Sequence, residues 1–533
     1  MSGDPLARLA PAQRALLELR LERRRAARAA AGIGPRPAGD APVPLSFGQQ
    51  RLWFVDQMES GSSFFNICAA VRLEGRLAAG VLRRALGDVV RRHESLRTVF
   101  VAPTGAPGAQ PLQRVLAAGP PGIADLPLAD LTALPVERRE PEAQRLLATG
   151  TGAPLDLARG PLLRAWLMRL GPETHVLACV VHHVIADWWS LGVLVRDVAA
   201  LYAAAAGRAC PLPELPVQYP DFALWQRETL DERRLAGALE EWLRRLAGAP
   251  SFLPLPTDFP RPAVQSFRGA EERTDLPAEL VAALRRCGQE HGCTLFMVVV
   301  ALYGVLLHWL TGETDLVVSA PLGGRDRRET EDLIGMFVDT LLLRLRMSGN
   351  PCWRELLGRV REVVTDAYER RHLPCDRIIR ELAPERSLGY SPMLQAGLNL
   401  VERDPLEEVS FPGLAARRFD LDPGIAQFEL NLVVARAAGG HWLGVQYRTD
   451  LFRRATARGL LAQLRALFDL AVRRPDFDLR EARELLAGLE ERRLQEERRS
   501  RPASAGPRRL RTAAADRPIH RSRSEIHDTE VRR

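Results

Sequence analysis

Three side chains within one short stretch can do chemistry together: His182, His183 and Asp187, in His175–Leu194 (HVLACVVHHVIADWWSLGVL). An apolar run leads into the two histidines, and the aspartate follows four residues after the second. Neighbouring side chains on a strand point to opposite faces, so one imidazole faces a cleft while the other packs or hydrogen-bonds inward. A neutral imidazole at a strand end suits general-base work, because its proton affinity lies near operating pH. An aspartate in the following turn orients the loop by accepting from backbone N–H groups or by pairing with an arginine. Two other readings stand beside catalysis. The rings could be satisfied core histidines, or they could ligate a metal with Asp187. Strand neighbours diverge, however, and no further His/Cys/Asp cluster accompanies them. A serine nucleophile has no G-x-S-x-G turn to sit on.

The elements that must position this set follow from hydrophobic periodicity. Val176–Val181 is a short apolar run, as expected for a buried strand. A helix begins near Ser190 and runs to Ala206. Upstream, Ile67–Leu73 alternates as a strand and Ala78–His93 has helical spacing. The pattern restarts after Glu228. A charged helix (Asp231–Leu246) comes first, then a Pro-rich crossing (Ala249–Pro262) and an apolar helix (Thr294–Leu310). Strands over Asp315–Ala320 and Phe337–Leu345 follow, then helices over Ala455–Ala471 and near Arg480–Arg499. Two similar halves of mixed strands and helices predict a two-lobed α/β protein. Residues 6–30 read as one amphipathic, Arg-rich helix, and Gly32–Pro44 as a Pro/Gly linker. The expected divisions are a lead-in over 1–43, a first lobe over 44–228, a second lobe over 229–490, and a basic, disordered tail over 491–533.

Composition removes several function classes. The 533 residues are 46% hydrophobic and 26% charged, ordinary for a globular protein. All 74 basic residues are arginine. Without lysine there is no pyridoxal Schiff base, no P-loop and no kinase strand lysine. The net charge of +8 belongs to the ends: residues 1–40 and 501–533 carry +4 and +5, and the body between them −1. That gives no support to a nucleic-acid groove. Seven scattered cysteines without a C-x-x-C pair predict reduced, structural thiols and a cytoplasmic location. No signal peptide is expected, because Leu6–Ala30 is rich in Arg. Thr294–Leu310, the longest apolar stretch, predicts a buried helix rather than a membrane span.

Read together, the motifs resemble the condensation domains of nonribosomal peptide synthetases, whose hallmark is H-H-x-x-x-D-G. The resemblance runs from about Pro44 to Ala471. Pro44–Gln57 (PLSFGQQRLWFVDQ) is similar to the opening motif S-x-A-Q-x-R-L-W. Arg92–Phe100 (RHESLRTVF) and Tyr219–Gln226 (YPDFALWQ) match R-H-E-x-L-R-T-x-F and Y-x-D-F-A-x-W-Q in full. Ile334–Arg344 (IGMFVDTLLLR) matches I-G-x-F-V-N-T-L-x-L-R with Asp339 for Asn, and Tyr447–Phe452 resembles the closing Y-x-T-D-L-F. The resemblance implies a chloramphenicol-acetyltransferase-like fold with an active-site tunnel at the lobe interface. It also implies acyl transfer between donor and acceptor carrier proteins, with substrates on phosphopantetheine arms and no permanently bound cofactor, metal, nucleic acid or membrane. His183 would sit at the reaction centre with His182 beside it. Asp187 would form a structural ion pair, with Arg97 the first expected partner and Arg92 the second. Trp188, Ser190, Gln49 and Trp225 would border the substrate channel.

Three departures qualify that picture. The motif glycine is Trp188, followed by Trp189; a tryptophan reshapes or blocks the acceptor channel. The late motif H-Q-D-x-P-F-E is eroded to RRHLPCD over Arg370–Asp376, keeping Pro374. No carrier or adenylation segment accompanies the domain, so substrates are expected from separate carrier proteins, which the basic tail could steer. Amide formation is the leading expectation and ester formation its sibling. Cyclisation is disfavoured, because that subgroup replaces the histidines with Asp, and epimerisation because of the RLWFVDQ opening. The competing reading is a catalytically silent module that binds carrier proteins and recruits other enzymes.

Overall fold

The computed structural model describes residues 32–500, apart from 38, 40, 59–60, 103–109, 118–124, 206, 208–211, 231, 383–386, 407–408, 412, 421–423 and 438–439. The expected helix over 6–30 and the expected tail from residue 501 on lie outside the described residues; residues 491–500, expected to be disordered, instead continue a helix over Leu479–Ser500. The first lobe runs β1 (Val43–Pro44), α1 (Phe47–Met58), β2 (Asn66–Glu74), α2 (Ala79–Arg92), β3 (Thr98–Val101), β4 (Leu112–Val115), β5 (Leu128–Asp130), α3 (Val136–Gly152), β6 (Leu163–Gly171), β7 (Thr174–His182), α4 (Trp188–Ala205) and α5 (Tyr219–Thr229). The second runs α6 (Glu232–Leu246), β8 (Gly269–Leu276), α7 (Ala278–Glu290), α8 (Leu295–Thr311), β9 (Asp315–Leu322), β10 (Asp339–Arg346), α9 (Trp353–Glu369), α10 (Cys375–Leu382), β11 (Ala396–Val401), β12 (Ala415–Arg418), β13 (Leu430–Ala437), β14 (Gly440–Arg448), α11 (Arg454–Arg473) and α12 (Leu479–Ser500).

β7 is the middle strand of a five-stranded sheet of order β12-β2-β7-β6-β5. Its apolar run is buried on both faces, which is why the sequence does not alternate there. Val176 and Ala178 pack with Ala143 and Leu147 of α3. Leu177, Cys179 and Val181 pack with Leu82, Leu86, Leu191 and Leu194 of α2 and α4. The strand therefore delivers its C-terminal histidines from a rigid, doubly covered support.

The second lobe folds around a six-stranded sheet of order β10-β9-β11-β13-β14-β8, with α8 in its core. α8 starts where the Thr294 side chain accepts from the Met297 N–H at 3.3 Å, and it stops at Gly312, whose φ of +72° a side chain would resist. No single helix among the described residues is long and apolar enough to cross a membrane. α8 is the buried helix that its sequence predicts, with Val298 to Leu302 inaccessible.

The second half of the chain lends segments to the first lobe. Leu333, Ile334, Met336 and Phe337, between β9 and β10, belong to the first lobe's core, as do Leu406, Val409 and Phe411. β12 then pairs antiparallel with β2, from Ala415↔Glu74 to Arg418↔Val71, and covers that strand's open edge. A boundary at residue 228 divides neither the sheets nor the packing, because β12 and these core residues lie beyond it.

Candidate active site

β7 ends at His182, and the chain turns through residues 183–187 into α4. Asp187 caps that helix: its Oδ1 accepts from the Ser190 N–H at 2.8 Å and from Ser190 Oγ at 2.6 Å. The same carboxylate holds the segment arriving from the second lobe. Arg325 Nη2 donates to Oδ1 at 3.0 Å, and the Phe337 N–H to Oδ2 at 3.2 Å. Ser190 Oγ completes the hub with Gly335 O at 2.9 Å and the Gly335 N–H at 3.0 Å. Burial opposes ionisation of Asp187. The Arg325 charge and the Ser190 bonds outweigh it and hold the carboxyl below its ordinary range.

The partner of Asp187 is thus Arg325, and the expectation of Arg97 or Arg92 is corrected. Arg92 closes α2 and reaches Asp197 on α4 at 3.1 Å, beside His93 Nε2 at 2.9 Å from the same oxygen. Arg97 donates to Leu116 O at 2.7 Å and pairs with Glu94 at 3.5 Å. Both arginines of that motif brace the first lobe internally. Arg325 comes from a loop outside every motif, opened by Gly323 and Gly324. A Cβ on Gly324 would lie 2.3 Å from Phe337 O, so this glycine lets the loop fold tightly back on itself.

The two histidines diverge. His182 is buried; its Nδ1 accepts from the Val184 N–H at 3.1 Å, and Nε2 lies 3.7 Å from Asp56 Oδ1. His183 is half-buried, and its Nδ1 lies 2.7 Å from Ala186 O. A carbonyl only accepts, so Nδ1 carries the proton and Nε2 presents a lone pair. Burial lowers the proton affinity of His183. The Ala186 bond and Asp187 oppose that shift, and the Arg51 charge adds to it. The result is a neutral imidazole at neutral pH, held in one tautomer.

The expected channel residues fare differently. Gln49 is buried and fully bonded: its Oε1 accepts from the Ser46 N–H at 3.1 Å, and its Nε2 donates to Val184 O at 3.3 Å. It braces the histidine loop and does not border a channel. Ser190 is inaccessible at the lobe hub, so it too is corrected to a structural role. Trp225 is half-buried against the first core, with Arg327 4.6 Å over its ring. Trp188 opens α4; its half-buried ring packs on the same core with Arg418 5.3 Å above it. Trp189 donates its indole N–H to Glu331 O at 2.9 Å. Trp188, in place of the motif glycine, and Trp189 after it therefore meet both of the segments lent by the second half of the chain.

Other motif residues converge for structural reasons that the sequence left unstated. Tyr219 Oη donates to Met336 O at 2.6 Å and lies 2.7 Å from Ser46 Oγ, joining three motifs at one buried hydroxyl. Arg51, of the opening motif, sits between Asp339 and Asp376 of the second lobe. Among the described residues no group of three or more His, Cys, Asp or Glu side chains could hold a metal ion.

A condensation-domain family model matches residues 40–493. The chain is 40% identical over 481 residues to phosphinothricin tripeptide synthetase PhsC of Streptomyces viridochromogenes, covering 89% of this chain and 43% of that one. It spans less than half the length of that curated relative. Among solved structures, the X-domain in its complex with OxyB from teicoplanin biosynthesis superposes with a TM-score of 0.73 at 28% identity, over 85% of this chain and 99% of that one. The SgcC5 protein from Streptomyces globisporus, solved with a naphthyl ethanediol and sucrose, gives 0.67 at 32% identity, over 82% and 100%. With its ordered motifs, its histidine turn and these matches together, the chain belongs to the condensation-domain family of nonribosomal peptide synthetases, with that family's two-lobed α/β fold.

Proposed function

We propose that the chain is an active condensation catalyst that transfers an acyl or peptidyl group between carrier proteins. The donor is a thioester on one phosphopantetheine arm, and the acceptor is an aminoacyl group on another. The observation that carries this reading is His183: half-buried, tautomer fixed by Ala186 O, and with no hydrogen bond to Nε2 among the described residues. The acceptor amine attacks the thioester carbonyl, and Nε2 takes the proton that the amine must lose. The tetrahedral intermediate collapses as the C–S bond breaks, and the imidazolium returns the proton to the leaving thiolate. One C–N bond replaces one C–S bond. A hydroxyl acceptor follows the same path to an ester, and likeness to SgcC5, solved with a diol, keeps that sibling in view.

The second reading is a silent module that docks on carrier proteins and recruits a partner. Likeness to an X-domain solved in complex with OxyB favours it, as does Trp188 where the family has glycine. One reconstitution separates the two. Acyl-loaded donor and aminoacyl-loaded acceptor carriers are mixed with the chain, and each carrier is weighed intact. Catalysis moves the acyl mass to the acceptor; recruitment gives carrier binding without mass transfer.

A further inference from the structure

Asp187 ties the far end of the histidine turn to the second lobe, and the near end reaches that lobe by another route. The His183 N–H donates to Phe65 O at 2.7 Å. Phe65 precedes β2, whose first residue, Asn66, pairs with His182. The buried Phe65 ring stands 5.9 Å from the His182 ring and 4.7 Å, edge-on, from the Phe64 ring. Phe64 is half-buried, and its ring lies 4.0 Å from that of Phe267 with 32° between the planes. Phe267 belongs to the second lobe, two residues before β8. An aromatic contact thus crosses the lobe junction and meets the backbone that holds His183.

Phe267 has φ of +54°, a left-handed conformation that a bulky side chain resists. Such strain persists only where the surroundings over-determine it, and it gathers at functional sites. Here the backbone is held on both sides. Phe267 O accepts from the Ala426 N–H at 2.9 Å, Arg268 O accepts from the Thr449 N–H at 2.9 Å, and the Gly269 N–H donates to Gly424 O at 2.9 Å. The buried Arg448, bound to Asp450 at 2.8 Å and to Gln265 at 3.2 Å, stands 5.7 Å over the ring.

We propose that Phe267 is a positioning residue for the acyl transfer. Through Phe64 and Phe65 it holds the near end of the histidine turn, as Arg325 holds the far end through Asp187. This role rests on His183 being the base. Phe64 and Phe65 are adjacent in the chain, so a displaced Phe64 ring shifts the Phe65 carbonyl and the His183 N–H bound to it. Nε2 then loses its line to the acceptor amine, and a displacement of about 1 Å costs up to about a hundredfold in rate. The loss falls on kcat and leaves KM for the loaded carriers in place, because the ring acts on the turn and not on a carrier.

Three variants of the full chain test this. Phe267→Tyr keeps the ring, Phe267→Ala removes the ring and keeps the strain, and Phe267→Gly removes both. Transfer between loaded carriers is weighed intact. Hydrogen exchange of the peptide carrying the histidine turn is followed by mass spectrometry without substrate. In Phe267→Ala and Phe267→Gly the turn exchanges faster and kcat falls by about tenfold or more, with KM unchanged. Phe267→Tyr stays near the wild type. Phe267→Gly unfolds at higher denaturant than Phe267→Ala, yet transfers no faster. Transfer restored in Phe267→Gly overturns the proposal, because the backbone and not the ring would then matter. Wild-type exchange or wild-type kcat in Phe267→Ala overturns it as well, and leaves the catalytic reading standing. Faster exchange in Phe267→Ala beside a wild type that transfers nothing overturns the catalytic reading, and the role in transfer with it.

Discussion

At the scale of the residue, the site rests on a division of labour within one motif. His183 keeps a lone pair on Nε2 without a hydrogen bond among the described residues, whereas His182 and Asp187 are buried and shape the turn that presents it. The Asp187 carboxylate takes four donated bonds, three to Oδ1 and one to Oδ2, and one of them is the guanidinium of Arg325. Removing one partner of a buried pair leaves the other charge uncompensated, so Arg325→Met should cost about 3–5 kcal/mol in urea unfolding. The sign with pH follows from the lowered Asp187 pKa. A carboxyl depressed in the fold contributes its full stability above the unfolded value, about 4, and loses it as the pH falls through the folded value. The gap between wild type and Arg325→Met is therefore full at pH 7 and narrows below about pH 4; a gap that widened in acid would contradict this pairing. The histidine pair and Asp187 were legible because they sit together on a strand end. Arg325 was not, because the contact spans 138 residues and comes from a loop with no periodicity.

At the scale of the element, the segment between β9 and β10 does the work that no isolated strand or helix could. It carries Arg325, packs Leu333 through Phe337 into the first lobe's core, and delivers Asp339 to Arg51. Its closeness depends on Gly335. A Cβ there would lie 1.8 Å from Tyr219 Cδ2, on a ring that is buried and bonded to Ser46 and Met336. Tyr219 cannot yield without breaking those bonds, so Gly335→Ala should destabilise the protein by about 3 kcal/mol or more, seen as a fall in denaturation midpoint. A variant as stable as the wild type would show that this segment is not seated as described. β7 and α8 could be placed from sequence because each is apolar all round and buried all round. The lent segments could not: their apolar residues pack from irregular backbone, where neither the period of a strand nor that of a helix marks them.

At the scale of the whole molecule, the two larger of three sheets, with separate cores, are made interdependent. The second half of the chain lends the first lobe a core segment, an edge strand and the ion-pair partner of its motif aspartate. The first lobe does not have all its own packing without the second half of the chain. Thermal unfolding followed by near-ultraviolet circular dichroism and by tryptophan fluorescence should therefore give one coincident transition, and two separated transitions would contradict this dependence. The most direct measurement is single-turnover transfer between loaded carriers, weighed intact, for the wild type and His183→Ala. The account predicts that the acceptor gains the acyl mass with the wild type. It predicts a loss of at least about a hundredfold in rate with His183→Ala, while the unfolding midpoint stays unchanged. Equal rates from the two proteins would contradict the central claim that the His183 imidazole drives the reaction.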